Sequence, residues 1–449
     1  MLRKLINNWD RTSFYLHRKV YAIGYSAAAL FVLSFFVPAL QTIAIFLLLA
    51  VAVVVLIETI LLYSKKGLSA ERIMTPRFSN GDENKVTVLL ENRYGFEVPC
   101  TVVDELPVQF QERNWKNVLR LKAQDTTSFT YQVRPMERGE YHFGNVNVFA
   151  SGPLGFVKRR FILAEEQTVK VYPSFVQLRR FQLLGVANNA AETGAKRMRK
   201  LGHSMEFEQI KEYVRGDDYR TINWKATARK GDLMVNNYTD ERSQQIYCLV
   251  NKGRVMKMPF QGMTLLDYAI NASLVLSGVA LQKQDRAGLI TFGKDIDAFL
   301  PADKKPTQIN AILESLYNQE TNFLEPDLEK LFSVVRNRIT HRSLLILFTN
   351  FESFDSFERV LPSLKRLAHY HLLMVVFFDN TELKTLIESK AETIEDIYIK
   401  TIAEKYRYEK QLIVKELQKN GIVAVLSTPE NLTVNSLNKY LELKTRQSI

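Results

Sequence analysis

Two long stretches without a charged residue lie near the start of the chain, at residues 20–37 and 39–57. Each comes close to the roughly 20 residues that an α-helix needs to cross the hydrocarbon core of a bilayer. Pro38 alone separates them, so two such helices must run antiparallel and return to the same side. The sequence therefore predicts a transmembrane hairpin, with helices at about residues 20–37 and 39–63, inside a first segment of residues 1–66.

Basic residues flank this hairpin where its two ends emerge. They are Arg3, Lys4, Arg11, Arg18 and Lys19 before it and Lys65, Lys66 and Arg72 after it, with Asp10 as the one acidic residue before it. The positive-inside rule then places both ends in the cytoplasm. A cleaved signal peptide is the alternative, but the second apolar stretch and the lack of an Ala-x-Ala site argue against it. Glu58, about two turns before Lys65, is predicted to lie at the membrane interface and not in a proton relay.

Short alternating segments follow at residues 67–180. Examples are residues 86–90, 128–133 and 146–149, separated by turn sequences such as Asn80-Gly81-Asp82. Several strands at a spacing of about ten residues, with no long helical pattern, predict an all-β sandwich. Residues 181–244 are interpreted as a linker, rich in Ala, Asn and Gly at 185–194, followed by a polar and aromatic segment.

From residue 245 to 449 apolar strands alternate with amphipathic helices. The predicted strands are residues 246–250, 287–292, 344–348, 372–378 and 422–426, and the predicted helices are 265–282, 326–338, 354–368 and 431–441. Continuous apolar strands between helices indicate a doubly wound α/β domain with a parallel sheet covered on both faces. Ligands of such folds bind outside the carboxyl ends of the strands.

The polar segment before this domain carries Arg215, Gly216, Asp217, Asp218, Arg220, Trp224 and Arg229. Gly216-Asp217 predicts a turn. The alternation of arginines with Asp217 and Asp218 would allow guanidinium groups to pair with carboxylates. The segment is therefore either a structural ion-pair network or a surface for a partner, and its residues alone leave both interpretations open.

The same segment resembles the bacterial domain-of-unknown-function family 58 (DUF58), whose signature reads Gly-Asp-x-x-Arg-x-Ile-x-Trp-x-x-x-Ala-Arg. The matching residues are Gly216, Asp217, Arg220, Ile222, Trp224, Ala228 and Arg229. The resemblance extends to the N-terminal hairpin, to Arg138-Gly139-x-Tyr141, to Gly152-Pro153-Leu154-Gly155 and to Val171-Tyr172-Pro173. It implies a von Willebrand factor type A-like domain at residues 245–449, a bacterial inner membrane as the location and a MoxR-type AAA+ ATPase as partner.

The type A fold often binds a divalent cation through Asp-x-Ser-x-Ser after its first strand, with a Thr and an Asp from later loops. Here the corresponding positions are Asn251, Gly253 and Val255, and the later Asp position falls on Asn350. Lys252 and Arg254 add positive charge beside them. We therefore predict a degenerate site that binds no metal.

Other chemistry finds little support in the sequence. It contains no phosphate-binding glycine loop and no nucleophile elbow, and Cys248 lies in an apolar strand where a buried, inert thiol is expected. His369 and His371 form a close pair without a third ligand nearby. Residues 196–230 hold ten basic and five acidic residues with interleaved aromatics, and the acidic share argues against a nucleic-acid groove. Within them, the basic run of residues 196–200 could contact anionic lipid, but a solvated loop is favoured.

These observations predict a membrane-anchored cytoplasmic adaptor without catalytic residues or cofactor, whose partners are the bilayer and an AAA+ ATPase. The ATPase would bind at the strand ends near Asn251 and Asn350 or at the segment from Arg215 to Arg229. A metal-dependent receptor or enzyme and a nucleic-acid-binding protein are the alternatives. The formal charge of +12 does not choose among them.

Overall fold

The computed structural model describes residues 13–112, 115–181, 205–214, 217–240, 243–321, 323–388 and 393–446. The chain divides into two compact units, Met1–Tyr172 and Pro173–Ile449. The first unit contains the N-terminal helices and a β-rich region, and the second contains a small hairpin module and an α/β domain.

The N-terminal helices are α1, Arg18–Leu33, and α2, Ala39–Tyr63. Helix α2 matches the prediction, and most of its side chains are exposed. Helix α1 ends at Leu33 instead of residue 37, and residues 34–36 form a turn before Pro38. At 1.5 Å per residue its 16 residues reach about 24 Å, which is less than the hydrocarbon thickness. Helix α2 is long and apolar enough to cross a membrane.

In the residues that the structure describes, the β-rich region has eleven strands in three sheets. The strands are β1 Phe14–Leu16, β2 Leu68–Met74, β3 Arg77–Ser79, β4 Asn84–Asn92, β5 Val98–Asp104, β6 Asn117–Leu121, β7 Thr126–Val133, β8 Gly139–Phe143, β9 Val146–Ser151, β10 Val157–Leu163 and β11 Gln167–Tyr172. The sheet orders are β1-β10-β9-β5-β6, β2-β4-β7 and β3-β11-β8. Alternate residues of β4 and β5 are buried, as in strands that cover a core with one face. Val88 and Leu90 of β4 share a core with Val98 and Val102 of β5, so two of the sheets face each other.

Strand β1 lies before the helical hairpin in sequence and pairs antiparallel with β10. Strand β2 lies after the hairpin. The two ends of the hairpin therefore enter the same β-rich region, which agrees with the antiparallel arrangement that the short connector requires.

The hairpin module of the second unit consists of β12, Met205–Glu212, and β13, Met234–Asp240, which pair antiparallel. Between them the chain forms a 3₁₀ turn, Tyr219–Thr221, and a short helix α3, Trp224–Lys230.

The α/β domain has a six-stranded sheet in the order β18-β17-β14-β19-β20-β21, parallel except for β18. Its strands are β14 Gln245–Asn251, β17 Arg286–Phe292, β18 Ile296–Asp303, β19 Leu344–Phe348, β20 Leu372–Phe378 and β21 Val423–Ser427, and a short hairpin adds β15 Pro259–Phe260 and β16 Met263–Thr264. Its helices are α4 Leu265–Gln282, α5 Gln308–Tyr317, α6 Leu328–Arg338, α7 Phe354–Tyr370, α8 Thr381–Glu388, α9 Ile394–Lys419 and α10 Leu432–Thr445.

Separate apolar cores cover the two faces of this sheet. Helix α4 lies in one of them and is almost wholly buried, although its length and composition would also allow it to cross a membrane. The five parallel strands were predicted to within one residue, and the two-sided cover agrees with their continuous apolar sequences. Strand β18 and helices α5 and α9 were not predicted.

Candidate functional site

The carboxyl ends of β14, β19, β20 and β21 meet at one edge of the α/β sheet, and the predicted ligand positions Asn251 and Asn350 lie at the ends of β14 and β19. Asn251 is buried and donates from Nδ2 to Thr349 Oγ1 at 2.9 Å, while its Oδ1 accepts from the backbone N–H of Gly253 at 2.7 Å. A side chain at Gly253 would lie 2.7 Å from Pro326 Cδ. Val255 packs against the apolar core. The first loop is therefore closed by its own hydrogen bonds and offers no carboxylate.

The two cations of this loop are both paired with acidic residues. Lys252 Nζ lies 3.0 Å from Asp297 Oδ2, and the Arg254 guanidinium lies 3.1 Å from Glu352 Oε2. The Lys252 side chain is nearly buried, whereas the Arg254 pair is exposed and contributes little to stability. The carboxylates nearest this loop are thus already engaged by side-chain cations.

Asn350, at the later ligand position, accepts a hydrogen bond from a lysine that the sequence did not indicate. Lys410, on α9, donates from Nζ to Asn350 Oδ1 at 2.8 Å and to the carbonyl oxygen of Phe351 at 2.6 Å. Burial lowers the pKa of Lys410 to about 8, and the negative charges of Asp379 and Glu352 oppose that shift. An ammonium group therefore occupies the oxygen that would otherwise be offered to a metal ion.

A pocket of about 420 Å³ opens beside Lys410. Its walls are mostly apolar, from the β15–β16 hairpin, the strand-end loops and α9, and include Met258, Phe260, Phe378, Leu383, Tyr406 and Pro429. The charged groups at its rim are Glu352, Asp379, Arg407 and Lys410. An apolar cavity with a few fixed charges suits an apolar side chain of a partner or a small amphiphilic ligand.

These residues do not fit a divalent cation. Mg²⁺ and Ca²⁺ are bound by several hard oxygen ligands, usually with carboxylates among them. Here the two predicted Asp positions, Asn251 and Asn350, are amides, and the Asn350 oxygen is hydrogen-bonded to an ammonium. Within the ranges that the structure describes, no three His, Cys, Asp or Glu side chains converge on one point.

The polar segment between β12 and β13 is held in place by its acidic residues. Asp217 accepts from Lys211 Nζ at 2.9 Å and from the backbone N–H of Val214 at 3.0 Å, and these hydrogen bonds, the backbone one first, lower its pKa. Asp218 accepts from the backbone N–H of Arg220 at 3.0 Å. Among the described residues these carboxylates accept from lysine and backbone donors, and no pairing with Arg220 occurs there. Arg215 and Gly216 lie outside the described residues.

Helix α3 is attached to the hairpin by Asn223. Its Oδ1 caps the helix by accepting from Ala226 N at 3.0 Å, and its Nδ2 donates to Asn236 Oδ1 at 2.8 Å. Gly231 ends the helix at a φ of +86°, a conformation that favours glycine. The segment thus has a defined local fold, although few of its side chains are buried.

Trp224 and Tyr219 are each 69% exposed at the surface of this segment. Arg220, Lys225 and Arg229 are exposed beside them, and no described acidic side chain lies within ion-pair distance of these three cations. The Arg220 guanidinium lies 5.8 Å from the centre of the Tyr219 ring. We call Tyr219, Arg220, Trp224, Lys225 and Arg229 the signature patch.

The sequence comparisons agree with the signature. The family model described as "Protein of unknown function DUF58" matches residues 209–414, which run from β12 to α9. Residues 209–414, just under half of the chain, are thus similar to the DUF58 family. A curated relative, the uncharacterized protein YeaD of Bacillus subtilis, is 24% identical to this chain over 245 residues. Those residues make up 53% of this chain and 59% of YeaD.

Solved structures match parts of this chain at low similarity. Protein BatB from Bacteroides thetaiotaomicron, a conserved hypothetical protein, matches with 12% identity, 45% of this chain, 100% of its own chain and a TM-score of 0.31. The CARDB domain of the PF1109 protein from Pyrococcus furiosus, in complex with di-metal ions, matches with 15% identity, 23% of this chain, 91% of its own chain and a TM-score of 0.18.

In the first unit of the chain, Glu58 is buried near the end of α2. Its carboxylate accepts four backbone N–H groups, from Leu154, Gly155, Phe156 and Val157, at 2.6 to 2.8 Å. The predicted interfacial position leaves out the main role of Glu58, because its carboxylate accepts the backbone N–H groups of residues 154–157. A Cβ atom on Gly152 would lie 2.6 Å from the Glu58 carboxyl carbon. This contact explains the glycine of the Gly-Pro-Leu-Gly sequence.

The two cysteines and the histidine pair add no reactive group to the sheet edge or to the signature patch. Cys248 is buried in β14, and burial raises the pKa of its thiol to about 12, as expected for an inert cysteine. Cys100 is buried in β5, and burial likewise raises its pKa to about 12. His371 is buried at the start of β20, where burial lowers its pKa.

Proposed function

We propose that this chain is a membrane-anchored adaptor that binds partner proteins at the carboxyl edge of its α/β sheet and at its signature patch, without a metal ion. The bond from Lys410 Nζ to Asn350 Oδ1 is the observation that carries this proposal. The ammonium group of Lys410 binds the oxygen atom that a metal ion would otherwise bind, and an open apolar pocket lies next to it. The α/β domain is, in this proposal, von Willebrand factor A-like, and the β-rich region is a sandwich.

The proposed membrane anchor is the hairpin of α1 and α2. Helix α2 has 25 residues and is about 37 Å long, which exceeds the hydrocarbon thickness. The basic residues at both ends favour a cytoplasmic location of the soluble parts in the bacterial inner membrane. The four hydrogen bonds to Glu58 support a firm attachment of α2 to the β-rich region.

The composition of the signature patch supports the proposal that a partner protein binds there. Exposed Trp, Tyr and Arg side chains dominate the binding energy of many protein interfaces. The three cations without a described acidic neighbour favour a partner with acidic side chains around an apolar centre. The resemblance to the family suggests a MoxR-type AAA+ ATPase as this partner. We propose no catalytic role for the chain.

Affinity capture tests this function. The full-length protein, solubilised from its own membranes in mild detergent, should capture an AAA+ ATPase that mass spectrometry identifies, with ATP present or absent. Arg220→Ala with Trp224→Ala should reduce that capture at least tenfold, because both side chains are exposed and would form the contact. Val118→Ala with Arg120→Ala is the matched control, since it removes an exposed apolar and an exposed arginine side chain from β6.

Undiminished capture by the folded Arg220 and Trp224 variant would show that the patch is not the docking surface. Capture that requires Mg²⁺, and that EDTA abolishes without nucleotide, would overturn the metal-free mechanism. A metal bound to the folded state would also raise the melting temperature of the protein. We expect the melting temperature to be the same in 5 mM EDTA and in millimolar Mg²⁺, within about 1 °C.

A further inference from the structure

The first turns of α9 extend without contact to the core of the α/β domain. Ala403 is the first buried residue of this helix, nine positions after it begins. Before it, Ile394 is 88% exposed and Tyr398 is 69% exposed, and Ile402 and Tyr406 continue the same series at intervals of four. Residues four apart lie on neighbouring turns of one side of a helix. The four residues therefore form an apolar stripe that the rest of the domain leaves exposed.

The charges along the helix indicate what covers this stripe. Residues 394–410 contain four acidic and four basic side chains, so the segment lacks the basic excess that attracts anionic lipid. The charges are unevenly placed. Glu395 and Asp396 lie in the first turn, whereas Lys405 lies ten residues after Glu395. A second helix with the same sequence, running in the opposite direction, would bring acidic and basic ends together.

We propose that two copies of this chain pair through residues 394–406 of α9, antiparallel and about a two-fold axis near residue 400. In this register Ile394 faces Tyr406 of the partner subunit, and Tyr398 faces Ile402 of the partner subunit. Glu395 faces Lys405 of the partner subunit. Every contact occurs twice, as a two-fold interface requires.

The local geometry is compatible with this pairing. Thirteen helical residues give an overlap of about 20 Å. The Lys405 ammonium lies 3.9 Å from Glu409 of its own helix and is 76% exposed, so it can turn toward a second carboxylate. Tyr406 also lines the pocket at the sheet edge, so Ile394 of the partner subunit would lie at the mouth of that pocket. This inference does not depend on an ATPase partner.

A charge-reversal cycle tests the pairing on the full chain in detergent micelles, with the protein mass measured by light scattering. The wild type should be a dimer. Glu395→Lys places two lysines opposite each other and should weaken dimerisation at least tenfold, and Lys405→Glu should do the same with two glutamates. The double variant Glu395→Lys with Lys405→Glu should restore the dimer. Tyr408→Asp, an exposed residue on another side of the helix, is the control that should leave the dimer intact.

Cysteine cross-linking tests the direction of the pairing. Cys100 and Cys248 are buried and give a low background. The double variant Tyr398→Cys with Ile402→Cys should form a covalent dimer on mild oxidation, and either single variant should do so at least fivefold more slowly. A monomeric wild type, a double charge variant that stays monomeric, or equally fast cross-linking of the single variants would overturn the proposal.

Discussion

Lys410 brings a positive charge into the apolar surroundings of the sheet edge, where two oxygen atoms hold it. A buried lysine with a lowered pKa is typical of a functional position, because a buried positive charge is retained only where it is used or compensated. Here the compensation is partial, because Asp379 and Glu352 act on Lys410 through space, without an ion pair to either among the described contacts. The ammonium thus keeps a donor for a partner.

The pKa of Lys410 makes the stability of the chain depend on pH. The folded chain loses this proton near pH 8, whereas the unfolded chain keeps it to about pH 10.5. Stability should therefore rise as pH increases above 8, by about 2 kcal/mol between pH 7 and 9.5, and be lost again as pH falls through 8. Urea unfolding of wild type and Lys410→Met measures this difference. The variant should lack the rise, and Lys415→Met, an exposed lysine of the same helix, should keep it.

The sequence alone identified the strand-end residues of this site but not the lysine that contacts Asn350. Asn251, Gly253, Val255 and Asn350 could be placed because each follows a strand directly, and strand ends share an edge. Lys410 could not, because it lies sixty residues after Asn350 on a helix whose amphipathic pattern is weak. The proximity of the two depends on how α9 packs on the sheet.

Whole elements followed their local patterns more closely. The five parallel strands are continuous apolar sequences between helices, and helix α2 is a continuous apolar sequence of its own. Strand β18 was missed because it is a half-buried edge strand and contains Pro301, which a central strand would not tolerate. Helix α9 was missed because its first turns are apolar on several sides and bury almost nothing.

The attachment of α2 to the loop before β10 is an element-scale feature that can be tested. Glu58→Gln removes the charge that four N–H groups share, and Gly152→Ala places a methyl group against the carboxylate. Each change should lower the melting temperature of the first unit by roughly 5–10 °C, because buried donors lose their acceptor. Gly95→Ala is the control, since a Cβ at that position has no neighbour within 4 Å.

The two cysteines report this effect separately for each unit. Cys100 is buried in the first unit and Cys248 in the second, so thiol labelling during heating, read by mass spectrometry, follows each core. Labelling of Cys100 should shift to lower temperature in the Glu58 and Gly152 variants, while that of Cys248 should not change. Equal labelling temperatures for Cys100 in all variants would show that the contact does not stabilise the β-rich region.

The whole molecule combines an apolar hairpin, a β-rich region and an α/β domain with separate cores. Their order along the chain could be predicted, because the three sequence patterns differ strongly. The small fold of the segment between β12 and β13 could not, because it depends on hydrogen bonds such as those of Asn223 and Asp217 rather than on an apolar pattern. The exposure of Trp224 could not be read from the sequence either, and the proposal that the segment is a partner surface depends on it.

Site-specific photo-crosslinking in intact membranes tests the central claim, that this chain is an adaptor, most directly. A photoreactive phenylalanine analogue would replace Trp224 in the signature patch and, as a control, Val108, an 85% exposed residue of the first unit. We predict one dominant protein adduct from position 224, an AAA+ ATPase by mass spectrometry, and none of it from position 108. No protein adduct at position 224, or the same set of adducts at both positions, would contradict the account.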